Sequence, residues 1–141
     1  MKIISVAACA LATALLAACT PMPATPPAVA ASISDSRWNM SEASFGIPEG
    51  VTPTLEFGAG RLTAHSGCNR AFGPYKDLGG RLEAGPLAAT RMGCRDAINE
   101  FEIKYYRLLS LTPAYRFEGA TLTLTADSGR VKFQRAPDAA K

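Results

Sequence analysis

The aromatic residues divide this chain into two parts. Its single Trp, four Tyr and six Phe all lie at Trp38 or later, and the chain has 141 residues, of which 48% are hydrophobic. Aromatic side chains contribute heavily to packed cores, so we expect the core to form from Trp38 onward, over the length of one domain. The hydrophobic content excludes a wholly disordered chain, and the length disfavours Rossmann and TIM-barrel architectures.

The N-terminus predicts a lipoprotein signal peptide over residues 1–18. Lys2 precedes an apolar stretch over residues 3–18, which has the order of a secretory signal and is short for a membrane-spanning helix. Leu16-Ala17-Ala18-Cys19 resembles the lipobox of bacterial lipoproteins, whose cysteine sulfur takes a diacylglycerol and whose new N-terminus takes an acyl chain such as palmitate. We therefore expect lipidation at Cys19 and contact with the membrane through this lipid anchor. An ordinary signal peptide that contains a cysteine is the alternative.

Residues 19–36 comprise the lipidated cysteine and a predicted Pro-rich tether. Four of the ten prolines of the chain lie in residues 21–27, and the only charged residue within residues 19–36 is Asp35. This composition cannot bury a core and favours an extended polyproline conformation. Thr20, not Asp, follows the cysteine. By resemblance to the sorting rule of enteric bacteria, this indicates a cell-envelope location at the outer membrane, facing the periplasm.

Residues 37–136 predict an α+β fold, in which a curved antiparallel β-sheet of about 6–8 short strands packs with one α-helix in a single domain. Segments 54–57 and 61–64 alternate apolar and polar residues around Gly58-Ala59-Gly60, which is typical of a hairpin. Further strands are predicted over residues 81–84, 115–118, 121–125 and 131–134. Residues 137–141 are predicted to be a disordered tail.

The helix is predicted over residues 96–109. Asp96 is expected to cap its N-terminus, and Pro113 prevents further extension. One face carries an apolar stripe at three- and four-residue steps, made of Ile98, Phe101, Tyr105 and Leu108.

Two cysteines remain after Cys9 leaves with the signal peptide and Cys19 takes the lipid. They are Cys68 and Cys94. An even number of cysteines in an oxidising compartment favours a disulfide. Two alternatives stay open: a redox-active pair, since Cys94 precedes the helix, and a metal site made of His65, Cys68 and Cys94.

Several motifs together resemble a known family. They are Gly67-Cys68-Asn69-Arg70, Phe72-Gly73-x-Tyr75 and Leu87-Ala88-Ala89-Thr90-Arg91-Met92-x-Cys94, with Trp38 as the opening aromatic. In this order and spacing they resemble the META domain of HslJ-type heat-shock lipoproteins. The resemblance implies a curved antiparallel sheet with one helix, a place in the bacterial envelope, heat-shock induction and, in some members, novobiocin resistance. No catalytic activity is established for the family.

The candidate binding residues come from these motifs: Asn69, Arg70, Thr90 and Arg91. Gly67 allows a positive φ or a close backbone approach beside the cysteine. Asn69 can close an Asx-turn or adopt a left-handed conformation. The two arginines flank the expected disulfide. They either pair with a carboxylate or a carbonyl, or form a small anion-binding patch near Asn69 and Thr90.

No combination of residues predicts catalysis. His65 is the only histidine, and the adjacent Ser66 would point to the other face of a strand, so a Ser–His–Asp arrangement is not expected. No paired carboxylates and no Gly-rich phosphate loop stand out. We therefore expect a protein that is not an enzyme, with no cofactor and, outside the His65 alternative, no metal. The net charge of +3 comes from scattered basic residues, which predicts no nucleic-acid partner.

The expected function is binding. We predict a monomeric envelope lipoprotein that acts in envelope maintenance or in heat and antibiotic tolerance, with another envelope protein as its partner. An exposed apolar or Arg-bearing patch near the two cysteines would support this role. One alternative is a carrier of a small apolar ligand in the periplasm, which needs an apolar cavity of about 300 Å³ or more. The other is an inhibitor of an envelope-attacking enzyme such as lysozyme, which the basic excess of the chain disfavours.

Overall fold

Residues 32–137 are described by a computed structural model. The predicted signal peptide, Cys19, most of the predicted tether and residues 138–141 lie outside the described residues. Nine strands and one helix form within residues 32–137. In chain order they are β1 (Ser36–Ala43), β2 (Thr54–Gly58), β3 (Arg61–His65), β4 (Arg70–Asp77), β5 (Leu82–Ala84), β6 (Ala88–Ala89), α1 (Asp96–Ser110), β7 (Ala114–Glu118), β8 (Thr121–Ala126) and β9 (Gly129–Arg135).

The sheet is antiparallel and curves until its two edges meet. Its strand order is β5-β4-β3-β2-β1-β9-β8-β7, with β6 paired to β4. Arg81, which precedes β5, bridges Ala114 at the start of β7, and backbone hydrogen bonds of 2.8 and 2.9 Å flank this bridge. The result is a nearly closed barrel with one helix, which confirms the predicted α+β fold in a single domain. The strand number exceeds the expected 6–8 because the motif-bearing segments also form strands.

The predicted hairpin is confirmed as β2 and β3. Thr54 pairs with His65, and Gly58 pairs with Arg61, so a two-residue loop joins the strands. Ala59 and Gly60 in this loop have φ values of 47° and 72°. Two successive residues with positive φ form the turn whose twist matches that of paired strands. The alternation of the hairpin then directs its apolar side chains into the barrel.

Two long strands, β1 and β4, were absent from the sequence prediction. β1 contains several polar residues, and its pairing with β9 shifts register between Met40 and Glu42. β4 contains Gly73 and Pro74, which normally weaken or exclude a strand. Pairing with β3 and β5 nevertheless holds β4 in place. Tertiary pairing therefore overrides the local signal in both segments.

Helix α1 packs its apolar face into the core of the barrel. The residues of its predicted stripe are all buried, as expected. The expectation that Asp96 caps the helix is wrong. Arg95 occupies the N-cap without a side-chain hydrogen bond, and Asp96 already lies in the first turn. Its carboxylate still lies near the positive end of the helix dipole. No helix among residues 32–137 has the length and hydropathy needed to cross a membrane.

The interior of the barrel is filled by side chains. Tyr105 is fully buried near the middle, with its ring 5.7 Å from that of Phe101 and 6.3 Å from that of Phe133, and its hydroxyl donates to the carbonyl of Thr54 at 3.0 Å. Strands from every part of the sheet contribute further buried side chains, including Trp38, Leu55, Leu62, Leu82, Leu122 and Leu124. This packed interior does not favour the carrier alternative, which needs an apolar cavity.

The folded part begins earlier than the predicted boundary at residue 37. Ile33 is fully buried in the core, and Ser36 is buried as the first residue of β1. The Ser36 hydroxyl donates to the carbonyl of Ile33 and accepts from the indole N–H of Trp38 at 2.7 Å. The end of the predicted tether therefore belongs to the domain. A single isoleucine among small and polar residues provides no periodic signal, which is why the sequence did not reveal it.

Candidate functional site

The motif cysteines form a disulfide that joins two loops. Cys68 lies between β3 and β4, Cys94 lies just before α1, and their Cα atoms are 6.2 Å apart. This pairing leaves neither thiol free for the metal alternative, and His65 Nδ1 accepts a hydrogen bond from the backbone N–H of Gly67 at 3.0 Å. Among residues 32–137, no three His, Cys, Asp or Glu side chains converge as a metal site.

Gly67 has both properties that the sequence predicted for it. Its φ is +102°, which side chains rarely tolerate. A Cβ atom at this position would lie 2.7 Å from Val51 Cβ. The glycine therefore lets the loop before Cys68 pack closely against the segment before β2.

Asn69 connects the two loops that the disulfide joins. Its side chain is almost completely buried. Oδ1 accepts from the Thr90 hydroxyl at 2.9 Å and from the Met92 N–H at 2.8 Å, while Nδ2 lies 3.3 Å from Glu102 Oε1. The φ of Asn69 is not positive, and its side chain does not close the local turn as an Asx-turn. Its amide is fully used within the protein, so an anion here would contact the arginines and not Asn69.

Ser66 contacts a carboxylate and not a histidine. Its hydroxyl is fully buried and lies 2.7 Å from Glu102 Oε2 and 3.1 Å from the carbonyl of Asn69. The Tyr106 hydroxyl donates to the same carbonyl at 2.9 Å. Burial raises the pKa of Tyr106 to about 12, and the nearby Glu102 carboxylate also raises it. Sequence reasoning missed this cluster, because Ser66 and Glu102 are 36 residues apart.

The two candidate arginines remain at the surface. Arg70 and Arg91 are both exposed, and neither guanidinium forms an ion pair among the residues that the structure describes. Thr90 is exposed as well, and its hydroxyl accepts from the Arg70 backbone N–H at 3.1 Å. The structure thus places one buried side chain, Asn69, beside three exposed candidates, Thr90, Arg70 and Arg91.

These arginines belong to a larger surface, which we term the basic–apolar face. It covers the outer side of β3, the first half of β4 and the segment that follows β6. Phe72 is 37% exposed with the Arg61 guanidinium 5.8 Å above its ring, and Met92 is 57% exposed. No acidic residue occurs in β3, in residues 70–74 or in residues 88–92. The face consists of Arg61, His65, Arg70, Phe72, Arg91 and Met92.

The fold and this region define a class of protein: a small α+β barrel with one helix packed into its core, and a disulfide-linked pair of loops beside the basic–apolar face. A sequence model of the META domain matches residues 31–138. The chain therefore belongs to the META domain family, as its motifs predicted.

Solved structures of similar fold support this assignment. A protein from Burkholderia xenovorans, determined by NMR, is 24% identical, with a TM-score of 0.62 over 83% of this chain and 99% of that one. A second protein structure determined by NMR is 23% identical, with a TM-score of 0.63 over 72% of this chain and 89% of that one. At these identities the likeness shows the fold alone. No functionally curated protein matches this chain.

Proposed function

We propose that this META-domain protein is a non-enzymatic lipoprotein of the cell envelope, which acts by binding another envelope protein through its basic–apolar face. The anchor is Cys19, which follows an apolar leader and a lipobox-like Leu-Ala-Ala sequence. Thr20 favours the outer membrane, with the domain in the periplasm. A role in envelope maintenance under heat or antibiotic stress rests on the resemblance to HslJ-type lipoproteins.

The burial of Ser66 supports a function without catalysis. A nucleophile must reach its substrate and needs a positioned base. The Ser66 hydroxyl has no exposure and is held by Glu102, and the ring of His65 is engaged through Nδ1 with the backbone of Gly67. The cluster instead has the contacts of a structural network, since each buried side-chain N and O atom among the described residues has a hydrogen-bond partner.

The composition of the basic–apolar face carries the proposal. Arginine, aromatic residues and methionine are enriched in protein interfaces and in their hot spots. Here Phe72 and Met92 supply exposed apolar area beside Arg70 and Arg91, whose charges no carboxylate neutralises among the described residues. An exposed apolar or Arg-bearing patch near Cys68 and Cys94 is the feature expected of an interaction module, and these residues support that role.

The charge of the face selects the partner chemistry. Carboxylates on an acidic protein surface would pair with the guanidinium groups of Arg70 and Arg91, and an apolar contact on the same surface would pack against Phe72 and Met92. A cationic enzyme such as lysozyme would be repelled by the same arginines, which disfavours the inhibitor alternative.

Site-specific crosslinking in intact cells tests this proposal. A photo-crosslinking amino acid placed at Met92 should capture one discrete envelope protein. The same probe at Leu78, which is 51% exposed in the β4–β5 loop, is the matched control and should not capture it. The crosslinked product from position 92 should be lost when Arg70→Glu and Arg91→Glu are combined. It should be retained with Arg107→Glu, the control, because Arg107 is an exposed residue on α1.

Two results would contradict the proposal. One is equal capture of the same protein from positions 92 and 78. The other is a product from position 92 whose yield is unchanged by the two charge reversals. The captured protein must also present an acidic surface at the crosslinked peptide, which mass spectrometry of the product identifies.

A further inference from the structure

The outer side of β7, β8 and β9 carries a second surface of different chemistry. Strand pairing places Thr123 between Arg116 and Lys132, and Thr125 beside Arg130. Because side chains alternate along a strand, these residues share the outer side while their neighbours, such as Leu122 and Val131, fill the core. Two adjacent rows of hydroxyls and cations result.

These rows line a continuous groove. A depression of about 550 Å³ is lined by the cations and threonines of these rows and by Glu118. A second depression of about 350 Å³ shares Thr125 and Arg130 with it and is also lined by Glu42. Sites for small ligands usually have volumes of about 300–1,000 Å³, so the groove has the size of a ligand site. The groove is open to solvent.

Arg130 is the cation of this groove that is available to a ligand. Arg116 pairs with Glu118 at 2.6 Å, and Lys132 pairs with Glu42 at 2.8 Å. No carboxylate of residues 32–137 lies within 4 Å of the Arg130 guanidinium. Ser44 holds the backbone of Arg130 through two hydrogen bonds. The Arg130 N–H donates to the Ser44 hydroxyl at 3.0 Å, and the Arg130 carbonyl accepts from the Ser44 N–H at 2.9 Å.

We propose that this groove binds a carboxylate-bearing glycan. The planar guanidinium of Arg130 can bind a carboxylate through two parallel hydrogen bonds. Thr123 and Thr125 can exchange hydrogen bonds with sugar hydroxyls on either side of that carboxylate. A nucleic acid would require several unpaired cations and exposed aromatic platforms along its path, whereas this groove offers one unpaired cation. An apolar ligand would leave the threonine hydroxyls and the Arg130 guanidinium without partners.

The groove is independent of the basic–apolar face. β1 and β2 separate β3 and β4 from β9 and β8 in the order of the sheet. Binding of a glycan by Arg130 therefore goes beyond the proposed protein contact through Arg70 and Arg91. Either proposal, the glycan site or the protein contact, can fail without the other, because their tests use different residues and different probes.

Binding of a defined oligosaccharide to the full-length protein in detergent tests the proposal. The probe is fluorescently labelled hexagalacturonate, measured by fluorescence polarisation, with the neutral hexasaccharide maltohexaose and with hexaglutamate as comparisons. Hexagalacturonate should bind at least tenfold more tightly than either comparison. Arg130→Gln and Thr125→Val should each weaken that binding at least fivefold, whereas Arg107→Gln should leave it unchanged.

Each of the other outcomes would overturn the proposal. Equal binding of maltohexaose means that the carboxylate is not recognised, and equal binding of hexaglutamate means that the groove responds to charge alone. Binding that is unaffected by both groove substitutions places the glycan elsewhere on the protein. A thermal melt of each variant confirms that it is folded, since both side chains are exposed.

Discussion

Removal of the Cys68–Cys94 disulfide should cost a large share of the stability of this domain. The bond joins residues that are 26 positions apart, and the chain-entropy relation gives about 3.5 kcal/mol for a loop of that size at 25 °C. Domains of this size have a total free energy of unfolding of about 5–15 kcal/mol. The loss should therefore lower the Tm by about 15–25 °C.

The buried hydrogen bonds around Asn69 should keep the loss of unfolding free energy close to the value expected from loop entropy alone. Asn69 still accepts from Thr90 and Met92 when the bond is absent, so the two loops keep their polar contact in the folded state. The effect then arises in the unfolded chain, which gains freedom. Substitution of both cysteines by serine and chemical reduction of the wild type should produce the same stability.

Urea unfolding followed by Trp38 fluorescence measures this effect. Trp38 is the only tryptophan and is 1% exposed, so its emission reports the opening of the core. The measurement compares the oxidised wild type, the wild type with a reductant, and the Cys68→Ser/Cys94→Ser variant with and without that reductant. The variant should be insensitive to the reductant. A variant that unfolds within about 1 kcal/mol of the oxidised wild type would refute the loop-entropy argument.

Three further predictions concern other parts of the fold. Gly67→Ala should destabilise by about 2 kcal/mol or more, because of its positive φ and the 2.7 Å approach to Val51. Gly93→Ala, where a Cβ meets nothing within 4 Å, is the control, and an equal loss in both variants would refute this reasoning. Ile33→Ala should lower the free energy of unfolding by about 2–5 kcal/mol in urea, although Ile33 precedes β1. A loss below about 0.5 kcal/mol would show that Ile33 does not contribute to the core. The pKa of Tyr106 is about 12 in the folded protein, above the value of about 10 for an unfolded chain. The unfolded state therefore loses its proton first, and stability should fall as the pH rises from about 10 to about 12. Tyr106→Phe should reduce that slope in urea unfolding at pH 9 and pH 11.5, and an unchanged slope would contradict the assignment.

Local sequence patterns predicted two elements correctly, the β2–β3 hairpin and α1. The β2–β3 hairpin follows from alternation around Ala59 and Gly60, and α1 follows from its apolar stripe. In both, neighbours along the chain are also neighbours in space. The disulfide followed from the number of cysteines, and the family followed from the spacing of the motifs around Cys68 and Cys94.

Long-range pairing determined the parts that the sequence did not reveal. β1 is completed by β9 at the other end of the domain, and the barrel closes through Arg81 and Ala114. Neither contact has a periodic signature. The role of Asn69 was also missed, because its partners come from two distant segments: Thr90 and Met92 from the loop after β6, and Glu102 from α1. The basic–apolar face likewise combines residues from β3, β4 and the loop before α1, so its lack of acidic residues is visible only in the fold.

The proposed envelope role depends on retention of the chain at the membrane by Cys19. The intact mass of the protein extracted from the membrane fraction of its own cells tests this most directly. The account predicts a chain that begins at Cys19 and carries a diacylglyceryl group and a further acyl chain, and it predicts loss of this species on Cys19→Ser substitution. An unlipidated chain recovered from the soluble fraction, with a different N-terminus, would contradict it.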